Sequence, residues 1–345
     1  MIKKELHIKI ILTIFILIII IIGTHAQDVH YTQPYANPLY LNPAFTGVKQ
    51  HSRVSSISRQ QWAGTPANYL TSSFSYDRNL SHLKSGIGLL AIIDRAGTGN
   101  LQNATIGALY AYQLSLRQNK WIVRSGLNFS FSSSSVDYQK LTFGDQLSLE
   151  GKVFENTSDQ QYIQRNNYFD VSSGLLAYSK EMWIGTSVRH MNEPNQALIS
   201  GNSKVPILLS IHGGAKIPLV TSYKIKQEIS LLPTFQYKFQ DKFDQLDAGL
   251  YLYYQPIILG IWYRGLPGIK RYDKGFKNHD AVALLIGYKY EDFKIGYSYD
   301  ITVSKLATNT SGSHEISLSY EFSYKVNRKK PRRKDIRIEC PIPQI

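Results

Sequence analysis

Glu315-Ile316-Ser317-Leu318-Ser319-Tyr320-Glu321-Phe322-Ser323-Tyr324 is the stretch that decides the fold. Ile316, Leu318, Tyr320, Phe322 and Tyr324 alternate with Glu315, Ser317, Ser319, Glu321 and Ser323. Successive side chains of a strand point to opposite faces, so this stretch has one apolar face and one polar face. The same alternation runs upstream. Phe293, Ile295, Tyr297 and Tyr299 oppose Lys294, Gly296, Ser298 and Asp300. Val282, Leu284, Ile286, Tyr288 and Tyr290 oppose Ala283, Gly287 and Lys289. Trp121, Val123, Leu127, Phe129 and Phe131 oppose Arg124, Gly126, Asn128 and Ser130. Fourteen such segments are expected, at 54–61, 68–76, 85–94, 103–116, 120–135, 167–179, 181–190, 204–218, 223–239, 243–254, 256–264, 281–290, 292–301 and 313–324. Most are near ten residues, enough to cross a bilayer when tilted, and an even number suits a closed single-chain bacterial barrel.

Connection lengths supply an independent test. With a periplasmic N-terminus, the even connections are 77–84, 117–119, 180, 219–222, 255 and 291, all but the first very short. The odd ones include 137–166, 191–203, 265–280 and 302–312, which are long, while 240–242 departs from the pattern. Short periplasmic turns and long outer loops are the asymmetry of outer-membrane barrels. A soluble pair of sandwiches also alternates, but it has no reason for that asymmetry and must hide its strand edges. Lipid demands closure, because no water pairs the backbone there. The expected fold is therefore all-β, a closed antiparallel transmembrane β-barrel of about 14 strands, with outer-membrane lipid against its outward face.

The chain has 345 residues, 43% hydrophobic and 19% charged, with 24 Tyr against 14 Phe and 4 Trp. A Tyr ring with a polar tip suits a membrane–water boundary. The mean hydropathy of -0.23 excludes a bundle of membrane helices but not a barrel, whose strands average to near neutrality. Net charge is +14, and residues 325–337 hold eight Lys/Arg and one Asp. In an exported chain that balance fits anionic lipid, lipopolysaccharide or an acidic protein better than nucleic acid.

Residues 1–26 read as a signal peptide. Lys3, Lys4 and Lys9 precede the apolar run 10–22, and Gly23-Thr24-His25-Ala26 precedes Gln27. Residues 27–50 carry Pro34, Pro38 and Pro43, too many for a central strand. This segment sits at the periplasmic mouth, folds into the lumen as a plug, or is a mobile leader. Residues 51–324 form the barrel, and residues 325–345 are a basic periplasmic tail. Cys340 stands alone, which rules out a disulfide framework and reads as an inert or poorly ordered thiol.

No motif carries catalysis. There is neither H-E-x-x-H nor CxxC, and Gly86-Ile87-Gly88 and Gly97-Thr98-Gly99 lack the strand–turn–helix setting of a phosphate cradle. Ser81-His82-Leu83-Lys84 matches S-x-x-K without its companion motifs and falls in a turn. The expectation is no enzyme, no cofactor and no metal site.

Further residues carry a resemblance. The run Gln33-Pro34-Tyr35-Ala36-Asn37-Pro38-Leu39-Tyr40-Leu41-Asn42-Pro43-Ala44-Phe45-Thr46-Gly47 resembles the PorP/SprF family of type IX secretion system membrane proteins. So do Gln60-Gln61-Trp62, Ser75-Tyr76-Asp77, Gly86-Ile87-Gly88, Asp94-Arg95-Ala96-Gly97-Thr98-Gly99, Phe143-Gly144-Asp145 and Glu339-Cys340-Pro341. The resemblance implies an outer-membrane barrel working with the type IX machinery. Such proteins export or hold large surface proteins, including gliding adhesins, or link the machinery to periplasmic components. It marks Asn37, Pro38, Leu41, Asn42, Pro43, Ala44, Gly47, Trp62, Asp77, Asp94, Gly97, Phe143, Gly144, Asp145, Cys340 and Pro341 as candidate functional positions. Arg332 and Arg333 join them from the basic tail, a candidate contact for periplasmic machinery. The candidate contacts for a secreted client are the outer loops 137–166 and 265–280, since long loops on a rigid scaffold are where binding usually lives. Two other function classes remain open. One is a porin-like or hydrophobic-solute channel, with Arg124, Lys289, Lys294, Glu315 and Glu321 facing its lumen. The other is an outer-membrane hydrolase.

Overall fold

The computed structural model describes residues 28–65, 68–97, 99–116, 120–147, 153–154, 157–158, 163–198, 201–222, 227–241, 243–265, 279–303, 311–322 and 338–343. The expected signal peptide, most of the basic tail with Arg332 and Arg333, and the tip of the 265–280 loop lie outside these residues.

The alternating segments form antiparallel strands. In chain order they are β1 (Ser52–Gln61), β2 (Tyr69–Leu80), β3 (Ser85–Ala96), β4 (Leu101–Leu116), β5 (Trp121–Asp137), β6 (Ile163–Tyr178), β7 (Met182–Arg189) and β8 (Leu208–Ala215). They continue with β9 (Ile217–Ser222), β10 (Gln227–Gln240), β11 (Phe243–Tyr254), β12 (Ile257–Gly265), β13 (His279–Tyr290), β14 (Phe293–Thr302) and β15 (Ser313–Phe322). All but β8 and β9 pair with their sequence neighbours, and β15 pairs with β1 from Ser52↔Phe322 to Gln61↔Ser313, which closes the cylinder. β8 and β9 both pair with β10, so they are two parts of one stave broken at Lys216. The barrel therefore has fourteen staves. Closure joins the two ends of the sheet, as lipid requires, and among the described strands β9 is paired on one side only, with β10.

The barrel is apolar outside and polar inside. Leu89, Ile106, Phe131, Leu175, Ile184 and Ile286 are exposed, whereas Ser55, Arg124, Ser132, Ser298 and Glu315 are buried. A water-soluble protein has the reverse arrangement. An outward apolar band is what hydrocarbon favours, and it places the sequence's greasy face against lipid. The odd connections lie at one end of the barrel and the even ones at the other, so the short turns 81–84, 179–181, 255–256 and 291–292 share one rim.

Three local expectations need correction. The stretch 219–222 is strand, not turn, and the connection between β9 and β10 falls at 223–226. Asp77 is not in a turn either: β2 runs on to Leu80, leaving only 81–84 to reverse the chain. Finally, the end of the chain is not wholly a periplasmic tail. Cys340, Pro341, Ile342 and Pro343 are buried, and Cys340 and Ile342 belong to one buried cluster with Val48, Trp183, Leu232, Tyr251 and Ile258.

Candidate functional site

The site is the lumen. Residues 28–49 run through it as three single-turn helices at Pro34–Ala36, Pro38–Leu41 and Pro43–Phe45. Each begins with proline, whose fixed φ and missing N–H suit the first helical position. Each is followed by a residue that stops it: Asn37, Asn42 and Thr46. The Asn42 side chain accepts from Ala44 N at 2.9 Å and starts the third turn. A chain folded this tightly has backbone groups with no ladder partner, so the barrel wall must supply them.

The wall does so from β1, β2, β5 to β8, β14 and β15. Glu315 accepts the backbone N–H groups of Thr32 and Gln33 at 2.8 and 2.7 Å. Asp300 accepts the Thr32 hydroxyl at 2.7 Å, and Arg59 bridges both carboxylates, 2.9 Å from Asp300 and 3.5 Å from Glu315. Asn37 donates to Ser73 at 2.7 Å. Asn42 donates to the carbonyls of Leu175 and Thr186 at 3.0 and 3.1 Å and touches His212 at 3.1 Å. Asp77 accepts Gly47 N at 2.7 Å and pairs with Arg53 at 2.9 Å. Arg124, fully buried, donates to Ala44 O at 2.9 Å, to Thr46 O, and to Gln113 at 2.6 Å. Charge-assisted bonds of this kind are stronger than neutral ones and fix geometry.

Two glycines set how closely segment and wall approach. A Cβ on Gly126 of β5 would lie 2.3 Å from Ala44 N and Pro43 C. Gly47 adopts φ +64, and a Cβ there would lie 2.7 Å from Arg78 O and from Gly86 Cα. The Asn42–Gly47 stretch thus lies directly on the backbone of the wall. Gly126→Val should expel it. The expected result is a barrel that still inserts but whose residues 28–49 become open to protease, read by limited proteolysis and mass spectrometry against wild type; overpacking alone costs about 1–3 kcal/mol.

Aromatic packing closes the inner rim. Tyr35 stacks edge-on to Trp183, centroids 5.7 Å apart, and accepts the Trp183 indole N–H at 3.1 Å. Tyr251 and Trp262 repeat the pattern at 5.8 Å and 2.8 Å. Cys340 and Ile342 fill the space beneath. Burial pushes the Cys340 thiol up to about 12, so it is not a reactive thiolate. A membrane-permeant maleimide should leave Cys340 unmodified in the folded protein and label it fully after denaturation, as intact mass will read.

The N-terminal end of the segment reaches the half of the lumen nearer the long loops. Asp28 lies 2.9 Å from His190 and 3.3 Å from Arg189, and His190 also meets Asp170 at 3.0 Å. Burial disfavours the His190 imidazolium, but Asp28 and Asp170 outweigh it and raise its pKa to about 9. For Asp28, burial raises the pKa, but His190 and Arg189 together hold it well below the usual carboxylate range. A raised His contributes stability that is full below its unfolded value, 6.5, and lost as pH rises through about 9. A depressed Asp contributes above its unfolded value, 3.8, and loses it as pH falls. The anchor should therefore hold between these limits. A nitroxide on Val29→Cys, in a Cys340→Ser background, should gain mobility above about pH 9 and be mobile throughout in His190→Gln.

Above this anchor the lumen is not filled. Two cavities of about 1040 and 560 Å3 lie on either side of residues 28–31. Trp62 sits where both open, and Asp94, accepting the Thr71 hydroxyl at 2.5 Å, lines the larger.

The remaining candidates scatter. Pro38, Leu41, Pro43 and Ala44 are buried within the segment itself. Gly97 holds φ +68 in the β3–β4 turn. Phe143, Gly144 and Asp145 lie in the β5–β6 loop, where Asp145 receives the Thr157 and Ser158 hydroxyls at 2.7 and 3.0 Å. Asn37, Asn42, Gly47, Asp77, Cys340 and Pro341 are brought together in the lumen, whereas Phe143–Asp145 and Gly97 are apart from it. The alternation of the sequence places Arg124 and Glu315 in the lumen, but only as channel lining. Their partners on the segment carried no local signal.

These features define an outer-membrane-type β-barrel whose lumen holds its own N-terminal segment. The chain belongs to the family of type IX secretion system membrane proteins PorP/SprF, whose model matches residues 23–320. No protein of curated function matches it. Among solved structures it is similar to the Pseudomonas putida toluene transporter TodX, at 9% identity and a TM-score of 0.43, over 86% of this chain and 94% of that one. It is also similar to Acinetobacter baumannii Omp33, at 7% identity and 0.43, over 80% and 100%. A third is Haemophilus ducreyi BamA lacking POTRA domains 1–3, at 8% and 0.39, over 79% and 71%. At such scores the likeness says nothing about what this chain binds or transports.

Proposed function

We propose that this protein is a non-enzymatic barrel of the bacterial outer membrane that assists export or surface anchoring of secreted proteins, gliding adhesins among them, with the type IX machinery. The observation that carries the reading is the inner half of the lumen, filled by residues 28–49 and 338–343. A channel needs a continuous water path, and here the inner rim is closed by Tyr35, Val48, Cys340 and Ile342 packed on Trp183 and Tyr251. A sealed cylinder is a rigid mount for outer loops and inner termini. In this reading the loops between β5 and β6 and between β12 and β13 meet the secreted client. Residues 325–337, with Arg332 and Arg333, meet acidic periplasmic components. The family match supports the link to type IX secretion.

Crosslinking pull-down from intact cells tests it. Full-length protein should capture a secreted surface protein and type IX components, and a chain with its 325–337 cations changed to Ser should lose the periplasmic ones. Equal capture by both, or capture of neither class, contradicts the reading. The runner-up, a solute channel, predicts steady current from the intact protein in planar bilayers.

A further inference from the structure

β9 leaves one side of its backbone unanswered. β7 begins at Met182, opposite Ala215 of β8, so it stops short of everything that follows that residue. The last tie across this gap is Lys216 N donating to the Glu181 carbonyl at 2.6 Å. Beyond it, among the described strands, Ile217–Ser222 pairs with β10 alone. On the other flank, β11 ends at Tyr254, opposite Ile229, whereas β9 and β10 pair on to Ser222↔Gln227. The β9–β10 hairpin therefore extends beyond the ends of both neighbouring strands, on the rim of short turns. Its β9 side is an open edge of six residues, about 20 Å long.

An open edge presents N–H and C=O groups along an extended backbone, which is a template for a further strand. Proteins blunt such edges with charge, proline or bulges. Here Pro218 removes one donor, and the register shift between Ile229 and Ser230 leaves Leu219 without a partner across the ladder. No charge guards the edge, however: Ile217, Leu219 and Val220 are 45%, 54% and 51% exposed. Lipid cannot pair that backbone. Nor can a second copy. Two barrels in one membrane are related by an axis along the membrane normal, so their β9 edges would run the same way at the same height and set N–H against N–H. An extended segment of a partner outside the membrane pairs the edge along its length, with alternate apolar side chains covering Ile217, Leu219 and Val220. Cations frame the edge in the sequence: Lys180, Lys216, Lys224 and Lys226, against Glu181 and Glu228. That balance favours acidic residues at the ends of the segment.

We propose that β9 accepts an extended segment of a periplasmic protein as an added strand, apolar at alternate positions and acidic at its ends. The added strand lies beside β9 where β7, starting only at Met182, leaves the wall open. A partner held this way goes beyond the secretion reading. It uses neither the outer loops nor residues 325–337, and it takes from that reading only that the rim of short turns faces the periplasm.

Photocrosslinking in intact cells tests it, with benzoylphenylalanine in place of Leu219 or, as a control on the outward face of β12, of Ile261. The Leu219 probe should link to one mapped segment of a periplasmic protein, and the Ile261 probe should not. Wild-type-like heat-modifiable mobility on gels will show that both chains keep the barrel. A synthetic peptide of the mapped segment, added to the detergent-purified full chain, should slow amide exchange in residues 217–222 about 10-fold or more, read by mass spectrometry. The same peptide with every backbone nitrogen methylated donates no backbone hydrogen bond and should leave exchange unchanged. Failure of the Leu219 probe to reach any protein, or links from it only to lipid, to a second copy or to residues 323–337 of its own chain, overturns the proposal. So does unchanged exchange with the peptide, or equal slowing by its methylated form. The pull-down that tests the secretion reading alters only the 325–337 cations, so either result can fail without the other.

Discussion

Deleting residues 28–46, with residues 1–27 kept, should turn a silent barrel into a conducting one. The intact protein in planar bilayers is expected to give no steady current. The deletion should give stable openings at least about 10-fold above that baseline, because barrels somewhat wider than this one leave an aqueous channel once nothing fills them. Tyr35, Leu41, Phe45 and Val48 form the middle of the inner plug, and Cys340 and Ile342 dock on them. Removing most of the first group leaves the second without a floor. Arg59, Arg124, Asp300 and Glu315 lose their partners on the segment and become charges facing water, which favours ion passage. A silent deletion variant that is properly inserted would mean that the C-terminal residues alone seal the barrel.

Arg124→Met should have the largest effect of any single substitution in the wall. The guanidinium is buried and holds two backbone carbonyls of the segment, Ala44 O and Thr46 O, as well as Gln113. Methionine keeps much of the volume but donates nothing. Each buried carbonyl left unpaired costs roughly 1–3 kcal/mol, so the loss should be on the order of 3 kcal/mol. It should appear as a lower temperature for the change from compact to unfolded mobility on gels, with faster proteolysis of residues 28–49. Arg124→Lys should fall between the two, since a single ammonium cannot reach both carbonyls in the fork geometry of arginine. A Met variant as stable as wild type would show that the segment is held by packing alone.

The barrel was legible in the sequence because its signal is local and repeated. Along 281–301 and 315–322 the outward positions are apolar and the inward ones, Leu285 apart, are polar, small or charged, so period two shows the strands directly. The signal failed where local chemistry interrupts it. Lys216 breaks the stave, Pro218 can give no ladder hydrogen bond, and Ile217, Leu219 and Val220 are all exposed. Without alternation, 219–222 reads as a turn. At Asp77 the reading ended β2 too early because a charged residue looked like a loop, whereas its carboxylate is satisfied inside by Arg53 and Gly47. The interior was the least legible part. Three prolines showed that residues 27–50 are not a strand, but not where they go. Their partners, Ser73, Arg124, Thr186, His212, Asp300 and Glu315, come from six strands, and only closure brings them together. Cys340 was obscured for the same reason: its pocket is built by both ends of the chain and by strands between them, and the basic run before it suggested solvent.

The central claim is that residues 28–49 occupy the barrel's own lumen. Replacing Tyr35 with a photoreactive phenylalanine analogue, irradiating intact cells and mapping the crosslinked peptides tests it most directly. The account predicts intramolecular links to β7 and β12, at Trp183 and Trp262, which lie 5.7 and 6.5 Å from the Tyr35 ring. Links to another protein or to lipid, with none to these strands, would contradict it.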